Sequence, residues 1–195
     1  MIAALILAAG ASQRMGGQPK ALLSVAGTTL LERVTATARQ AGTSGLVVVV
    51  GPPHEALIRQ RFVDAELEWA HNPQPERGML SSVQAGLPKL PAAARGALIW
   101  PVDVPFVDVS TVRTLLDAPL DAQMVVPVWQ GRGGHPLWLP RRLFAEAMAL
   151  SPEVGLRALR QDHPPLRIDV KDAEILRDLD TPEDLAAARA RWERA

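Results

Sequence analysis

Ile2-Ala-Ala-Leu-Ile-Leu7 runs directly into Ala8-Ala-Gly-Ala-Ser-Gln-Arg-Met-Gly-Gly-Gln-Pro-Lys20, and this segment decides the fold. A short apolar run that ends in glycine-rich sequence is typical of a buried strand followed by a loop. Because glycine has no side chain, such a loop brings backbone N–H groups close to a ligand. Arg14 and Lys20 add two positive charges suited to phosphate oxygens. The segment predicts a phosphate-binding loop, against the alternative of an ordinary glycine-rich connection with surface cations.

Two well-known phosphate-binding motifs do not fit this loop. A Walker loop has four residues between its first glycine and a Gly-Lys-Ser or Gly-Lys-Thr, whereas five residues separate Gly10 from Gly16 and Lys20 precedes an alanine. A dinucleotide fingerprint needs G-x-G-x-x-G, of which only the first glycine is present. The loop therefore argues against a P-loop ATPase and against a nicotinamide dehydrogenase.

Composition predicts a cytoplasmic enzyme. The 195 residues suit one domain, 1–195, and the 21 basic residues equal the 21 acidic ones, which predicts neither a nucleic-acid partner nor a membrane partner. The absence of cysteine excludes disulfides, thiolate metal sites and cysteine nucleophiles. No apolar run approaches the roughly 18 residues of a membrane span, and the N-terminus lacks the basic start of a signal peptide.

Apolar runs alternate with helical periodicity along the chain. We predict strands at 2–7, 46–50, 66–70, 97–102, 124–128 and 166–170, and helices at 29–40, up to about 62, at 78–87, 109–116, 141–150, 155–161 and from 182. Residues 129–139 are predicted to form a short antiparallel excursion. This order predicts an α/β fold, a Rossmann-like three-layer α/β/α sandwich around a mostly parallel sheet.

Two aspartates are candidate metal ligands. Asp103 follows a predicted strand directly, at the edge of the sheet where such folds bind ligands. Asp180 follows a predicted extended stretch, 175–179, and precedes the helix-start residues Thr181 and Asp184. Carboxylate oxygens suit Mg²⁺. The alternative is that Asp103 bonds its own backbone in a turn.

Two further segments carry polar groups after predicted strands. Gly78, Ser81 and Ser82 begin a predicted helix, whose free N–H groups and hydroxyls suit a base edge or a phosphate, unless the serines only start the helix. Gly134 and His135 lie in a glycine-rich turn that suits a second anionic substrate, unless His135 merely bonds a backbone carbonyl. The other histidines have no such context and are expected at the surface; they are His54, His71 and His163.

These motifs together resemble a known family. Leu7-Ala-Ala-Gly-Ala-Ser-Gln-Arg-Met-Gly16 with Lys20 resembles the signature loop of nucleotidyltransferases that activate sugars and cofactors. Val102-Asp-Val-Pro105 resembles their metal-binding aspartate motif. Three more motifs are similar to the branch of the MobA-like NTP transferase family that transfers CMP or GMP to molybdopterin; they are Gly78-Met-Leu-Ser-Ser-Val83, Gly134-His-Pro136 and Asp178-Leu-Asp-Thr-Pro-Glu-Asp184.

The resemblance implies a fold of the nucleotide-diphospho-sugar transferase type and an NTP bound on the first loop. It implies that Arg14 and Lys20 contact the phosphates, and that Asp103 and Asp180 hold Mg²⁺. The implied nucleotide-binding residues are Ala8, Ala9, Gly10, Ser12, Arg14, Lys20, Gly78, Ser81 and Ser82, and the implied acceptor-binding residues are Gly134 and His135.

The resemblance also bears on the substrates. Ala8-Ala9-Gly10 is similar to the CTP-using enzymes, since GTP-using ones tend to carry two glycines after the alanine. Val104 departs from the usual Asp-Gln-Pro or Asp-Met-Pro, which leaves the acceptor open. The leading hypothesis is transfer of CMP to molybdopterin, with a molybdoenzyme as downstream partner. The alternatives are nucleotidyl transfer to a sugar phosphate or other small phosphomonoester, and a non-catalytic cofactor carrier.

Overall fold

The protein, in a computed structural model, is described for residues 1–63, 65–119 and 123–193. Its strands are β1 Ala3–Leu7, β2 Ser24–Val25, β3 Thr28–Thr29, β4 Gly45–Val50, β5 Glu68–His71, β6 Gly96–Pro101, β7 Val125–Trp129, β8 Arg132–Gly133, β9 Leu137–Pro140 and β10 Leu166–Asp169. Its α-helices are α1 Leu30–Ala41, α2 Glu55–Arg61, α3 Met79–Gly86, α4 Val109–Leu116, α5 Phe144–Ala149 and α6 Pro182–Trp192. None of the described helices is long and apolar enough to cross a membrane.

The main sheet is mostly parallel and has the order β10-β7-β9-β6-β1-β4-β5, with β8 paired to β7. β1 lies parallel to both β4 and β6, and β10 lies parallel to β7. β9 runs antiparallel to β6 and β7, which confirms the predicted antiparallel excursion. Leu7 is in register with both Val49 and Pro101, so that β1, β4 and β6 end together and their following loops meet at one edge.

Helices cover both faces of the sheet, as the α/β/α prediction requires. Alternate residues of β1 face opposite sides, because side chains of a strand alternate: Ile6 packs into one core cluster and Leu5 into the other. The first cluster holds apolar residues of α1, α2, α4 and α6, and the second those of α3 and α5. The predicted Rossmann-like three-layer fold is therefore confirmed.

The best predicted helix has the clearest start signal. Thr29 accepts a hydrogen bond from the Glu32 N–H at 3.2 Å, and the Glu32 carboxylate accepts one from the Thr29 N–H at 2.8 Å. This capping box satisfies two backbone donors that a helix start leaves free. α1 then ends at Gly42, whose φ of 107° suits glycine. The prediction of 29–40 is confirmed.

Two predicted elements are wrong in detail. The stretch 175–179, predicted as extended, begins within a 3-10 helix, Ala173–Leu176, because the Asp172 carboxylate accepts the Glu174 N–H at 2.9 Å and turns the chain. The predicted helix 155–161 is instead a short 3-10 helix, Leu156–Arg160, and Gly155 with φ 70° separates it from a second 3-10 turn, Pro152–Val154. The β2–β3 hairpin was not predicted.

Candidate active site

A cleft of about 800 Å³ opens at the shared carboxyl edge of β1, β4 and β6. It brings together residues from four chain segments that the sequence analysis had singled out separately. Its lining includes Ala8, Ala9, Gly10, Ser12, Arg14, Lys20, Gly78, Ser82, Asp103 and Asp180. Pro52, Pro53, Pro75 and Met79 add apolar surface to the same cleft. Ser81, Gly134 and His135 are not among its lining residues.

The loop after β1 has a fixed shape. Ser12, Gly16 and Gly17 have φ values of 53°, 65° and 76°, in the left-handed region that glycine adopts freely. Between them a single 3-10 turn buries Met15 in the core. The Ser12 Oγ accepts a hydrogen bond from the Lys20 N–H at 3.2 Å, which ties the start of the loop to its end.

A hydrogen bond from Trp100 stabilises the turn that carries Asp103. The buried Trp100 indole donates Nε1–H to the Val104 carbonyl at 2.8 Å, and the Val102 N–H donates to the Leu7 carbonyl at 3.1 Å. Asp103 therefore stands beside the loop that follows β1. The Val104 side chain is buried in the core, so that its apolar character, which departs from the family motif, fits its position.

Asp180 reaches the same edge of the sheet from the C-terminal segment. The Leu179 N–H donates to the Asp103 carbonyl at 2.8 Å, which docks this segment onto the Asp103 turn. The Asp180 N–H donates to the Asp184 carboxylate at 3.1 Å, and Asp184 also completes the capping box of Thr181. The same hydrogen bonds lower the pKa of Asp184, those from Thr181 most strongly.

Lys20 joins the two aspartates. Its Nζ lies 2.8 Å from Asp103 Oδ2 and also bonds Asp180 Oδ1, while Arg14 Nη1 lies 3.0 Å from Asp180 Oδ2. Burial by itself lowers the pKa of Lys20, but the charges and hydrogen bonds of Asp103 and Asp180 outweigh it and raise the pKa above 10.5. Lys20 is therefore charged at neutral pH. Its side chain is 15% exposed, whereas that of Arg14 is 75% exposed and remains open to a ligand.

The two carboxylates form a small set of oxygen donors. One oxygen of each carboxylate accepts a hydrogen bond from the Lys20 ammonium, so that both oxygens surround the same position. No group of three or more His, Cys, Asp or Glu side chains suited to a metal is found in the described part of the chain. Two carboxylates fit Mg²⁺, which keeps several waters and takes further oxygens from phosphates. The donor set therefore fits a cation that is shared between protein and substrate.

The serines of α3 are buried, and only Ser82 also lines the cleft. Ser81 and Ser82 are both buried, and the Asn72 amide donates to each hydroxyl at 2.9 Å. Ser81 in turn donates to the Gly78 carbonyl at 2.7 Å. Asn72, whose role the sequence does not reveal, thus joins the end of β5 to the start of α3 behind the cleft wall.

Gly134 and His135 lie beside the cleft, against the segment that leads to Asp180. The His135 N–H donates to the Ile175 carbonyl at 2.9 Å, and a Cβ at Gly134 would collide with that same carbonyl. Burial lowers the pKa of His135, against the opposing effect of a hydrogen bond to the Ile99 backbone, so that the ring is neutral at neutral pH. Its Nδ1 is buried and has no partner among the described residues.

His54 is buried, contrary to the surface position predicted for it. Its side chain lies behind the cleft, where Nε2 bonds the Ala11 carbonyl of the first loop at 3.1 Å. The sequence signal was weak, because a single histidine after two prolines does not reveal its partner. His71 and His163 have partly exposed side chains and pair with the carboxylates of Glu55 and Glu146, near 2.5 Å and 2.6 Å.

A Rossmann-like sheet whose carboxyl edge joins a glycine-rich loop, a lysine and two aspartates defines a protein that handles nucleotide phosphates. The model of the MobA-like NTP transferase domain matches residues 4–167. The chain belongs to this family and is a nucleotidyltransferase of the MobA-like kind.

Curated relatives of two kinds are similar to the chain. Molybdenum cofactor cytidylyltransferase of Escherichia coli (strain K12) is 28% identical over 190 residues, which are 96% of this chain and 95% of that protein. The bifunctional protein GlmU of Stenotrophomonas maltophilia (strain R551-3) is 37% identical over 135 residues. Those residues are 66% of this chain but only 29% of GlmU, so that the chain spans less than a third of that relative.

Solved structures share the fold. Rv0371c from Mycobacterium tuberculosis H37Rv has a TM-score of 0.86 and 28% identity, over 97% of both chains. The manganese complex of Rv0371c has a TM-score of 0.80 and 24% identity, over 97% of this chain and 98% of that chain.

Proposed function

We propose that the protein transfers CMP from CTP to the terminal phosphate of molybdopterin and releases pyrophosphate. The observation that carries the proposal is the Lys20 ammonium between Asp103 and Asp180, at the floor of a cleft walled by Ala8-Ala9-Gly10. The likeness to the Escherichia coli cytidylyltransferase over almost its whole length supports the choice of substrates. A cytoplasmic location and a molybdoenzyme as recipient of the product belong to this proposal.

The residues of the cleft divide into two roles in this proposal. The backbone of Ala8, Ala9 and Gly10 and the start of α3 at Gly78 hold the nucleotide, with Ser12 fixing the loop and Ser82 in the wall. Ser81 supports α3 from behind. Arg14 and Lys20 neutralise the triphosphate, because both cations lie on the cleft and one is mostly exposed.

We propose that Asp103 and Asp180 hold Mg²⁺. When bound, this ion would supply Lewis-acid polarisation of phosphate oxygens. Support comes from the oxygen donors that converge on Lys20 and from the manganese in the complex of Rv0371c. Since the Lys20 ammonium bonds the same carboxylates, a bound divalent cation would leave Lys20 free to contact the phosphates.

The reaction needs no strong general base. A phosphate monoester is already anionic at neutral pH, so that its oxygen attacks the α-phosphorus of CTP without losing a proton first. One P–O bond forms to the acceptor phosphate, and the bond between the α-phosphorus and the bridging oxygen breaks, which releases pyrophosphate. The residues accelerate this step by positioning and by neutralising charge on the leaving group, as expected for transfer at phosphorus.

The acceptor side is assigned to Gly134 and His135. Support for this role comes from the packing of their turn on Ile175, in the segment that leads to Asp180. The neutral His135 ring orients this turn through its bond to the Ile99 backbone.

A screen of nucleotides and acceptors tests the proposal. Purified protein is incubated with Mg²⁺, molybdopterin and one of CTP, GTP or UTP, and pyrophosphate release is measured. We expect release with CTP and molybdopterin together and not with either alone. Release with GTP in preference to CTP would refute the assignment of the base.

The second candidate is nucleotidyl transfer to a sugar phosphate, which the GlmU relatives favour. The cleft chemistry is the same, and only the acceptor differs. Replacing molybdopterin by glucosamine-type or hexose 1-phosphates in the same screen separates the two. Absence of pyrophosphate with every acceptor would favour a non-catalytic carrier.

A further inference from the structure

The loop between β4 and α2 forms a rigid support behind the first loop. A Cβ at Gly51 would collide with the carbonyl of Asn72 and come within 3.5 Å of the Ala9 side chain. The Asn72 N–H also donates to the Val50 carbonyl at 2.8 Å. Residues 51–54 are therefore wedged between the end of β5 and the phosphate-binding segment.

His54 stands at the end of this support and turns its side chain to the first loop. It is the N-cap residue of α2, yet its side chain makes no capping hydrogen bond. It is only 7% exposed, and Nε2 lies 3.1 Å from the Ala11 carbonyl oxygen. Because a carbonyl only accepts, Nε2 carries the proton and His54 is the donor.

This hydrogen bond fixes one peptide plane of the loop. In a planar trans peptide, the C=O of one residue and the N–H of the next point in opposite directions. Holding the Ala11 carbonyl on His54 therefore turns the Ser12 N–H away from α2. Ala11 and Ser12 both line the cleft, and no hydrogen bond from the N–H groups of Gly10, Ala11 or Ser12 is found among the described residues. Such free N–H groups are suited to anions.

We infer that His54 is a positioning residue for the phosphates of the nucleotide: it holds the Ala11 carbonyl so that the N–H groups of the first loop face the triphosphate. The inference rests on the proposed function, because it assigns the first loop to an NTP. His54 is not among the residues that line the cleft, and it acts through the backbone of Ala11 and Ser12.

The test compares His54→Leu with His54→Gln. Leucine keeps the bulk and loses the donor, whereas the glutamine amide nitrogen reaches about as far as Nε2. Equilibrium binding is measured with two probes in the presence of Mg²⁺, namely CTP and inorganic pyrophosphate. We expect His54→Leu to bind both probes about fivefold to tenfold more weakly, the loss of one hydrogen bond, and His54→Gln to bind them nearly as wild type does.

Steady-state kinetics give a second readout. We expect KM for CTP to rise by the same factor in His54→Leu, with a smaller change in kcat. His71→Leu is the matched control, because His71 bonds Glu55 on the same helix but lies outside the cleft lining; it should leave both affinities unchanged. If His54→Leu does not fold, His54→Asn, whose amide is too short, replaces it against His54→Gln.

Three results would overturn the inference. They are wild-type affinity in the variant without a donor, equal weakening in the glutamine and leucine variants, and weakening for CTP but not for pyrophosphate. If the wild-type protein binds neither probe, the proposed function fails first and the inference falls with it. If the wild-type protein binds both probes and His54→Leu binds them equally well, the role of His54 is refuted while the proposed function stands.

Discussion

Lys20 Nζ lies 2.8 Å from Asp103 Oδ2 and bonds Asp180 at the same time, so that one ammonium closes a bridge between residues 77 positions apart in the chain. The bridge neutralises part of the charge of two carboxylates that would otherwise repel each other. It also occupies the oxygens to which we assign the divalent cation. Binding of Lys20 and of a metal to these carboxylates is therefore competitive.

The first prediction concerns Lys20→Met. Removing the ammonium leaves two unneutralised carboxylates, so that the variant should bind Mn²⁺ more tightly than wild type when no nucleotide is present. Its transfer rate should nevertheless fall by about 100-fold, because the variant lacks the positive charge that neutralises the triphosphate in wild type. Mn²⁺ titration monitored by electron paramagnetic resonance measures the affinity. Lys89→Met, which lies outside the cleft lining, is the control, and unchanged or weaker Mn²⁺ binding in Lys20→Met would contradict the competition.

The second prediction concerns Asp103→Asn. The amide keeps the size of the side chain but loses its charge, and we expect the transfer rate to fall by about 100-fold to 1,000-fold. Thermal unfolding should show that the variant remains folded. Asp162→Asn, at an exposed position outside the cleft lining, should keep the wild-type rate. A rate within a few-fold of wild type for Asp103→Asn would remove this residue from the mechanism.

The third prediction concerns the support of the Asp103 turn. Trp100→Phe removes the indole donor and leaves the Val104 carbonyl without its partner in the core. We expect the free energy of unfolding to fall by about 1–3 kcal/mol. Chemical denaturation measures the change, and Trp69→Phe at a half-buried site on β5 serves as control. If both variants lose the same stability, the indole hydrogen bond is not what holds the turn.

The fourth prediction concerns pH. Burial lowers the pKa of His135 in the folded protein below its ordinary value of 6.5. At a pH below 6.5 the unfolded chain therefore binds more protons than the folded protein does. The stability contributed by the neutral ring is therefore complete above pH 6.5 and is lost as the pH falls. Wild type should lose more stability between pH 7.5 and pH 5 than His135→Gln, as measured by thermal unfolding. Parallel pH profiles for the two proteins would show that His135 does not carry the effect.

Sequence patterns predicted those parts of the fold that local physics determines. β1 and β4 are continuous apolar runs, and α1 carries both a capping box and a terminal glycine, so that each signal is complete within a few residues. The extended stretch predicted at 175–179 is wrong for Ile175 and Leu176, because the Asp172 cap turns these residues into a 3-10 helix that ends at Leu176.

The site could be predicted only as separate residues. Strand ends placed Asp103 beside the first loop, but the bridge through Lys20 depends on the Leu179 N–H docking to the Asp103 carbonyl, a contact between distant segments. The burial of His54 is not predictable from the sequence, because its partner is a backbone carbonyl 43 residues away, which no side-chain pattern reveals.

The most direct test of nucleotidyl transfer follows two labels in one reaction. CTP labelled with ³²P at the α-phosphate or at the γ-phosphate is incubated with the protein, Mg²⁺ and molybdopterin, and the products are separated. The account predicts that the α-label moves into the molybdopterin product while the γ-label appears in pyrophosphate. A γ-label on the acceptor, or an α-label that never leaves the nucleotide pool with molybdopterin or any sugar phosphate, would contradict it.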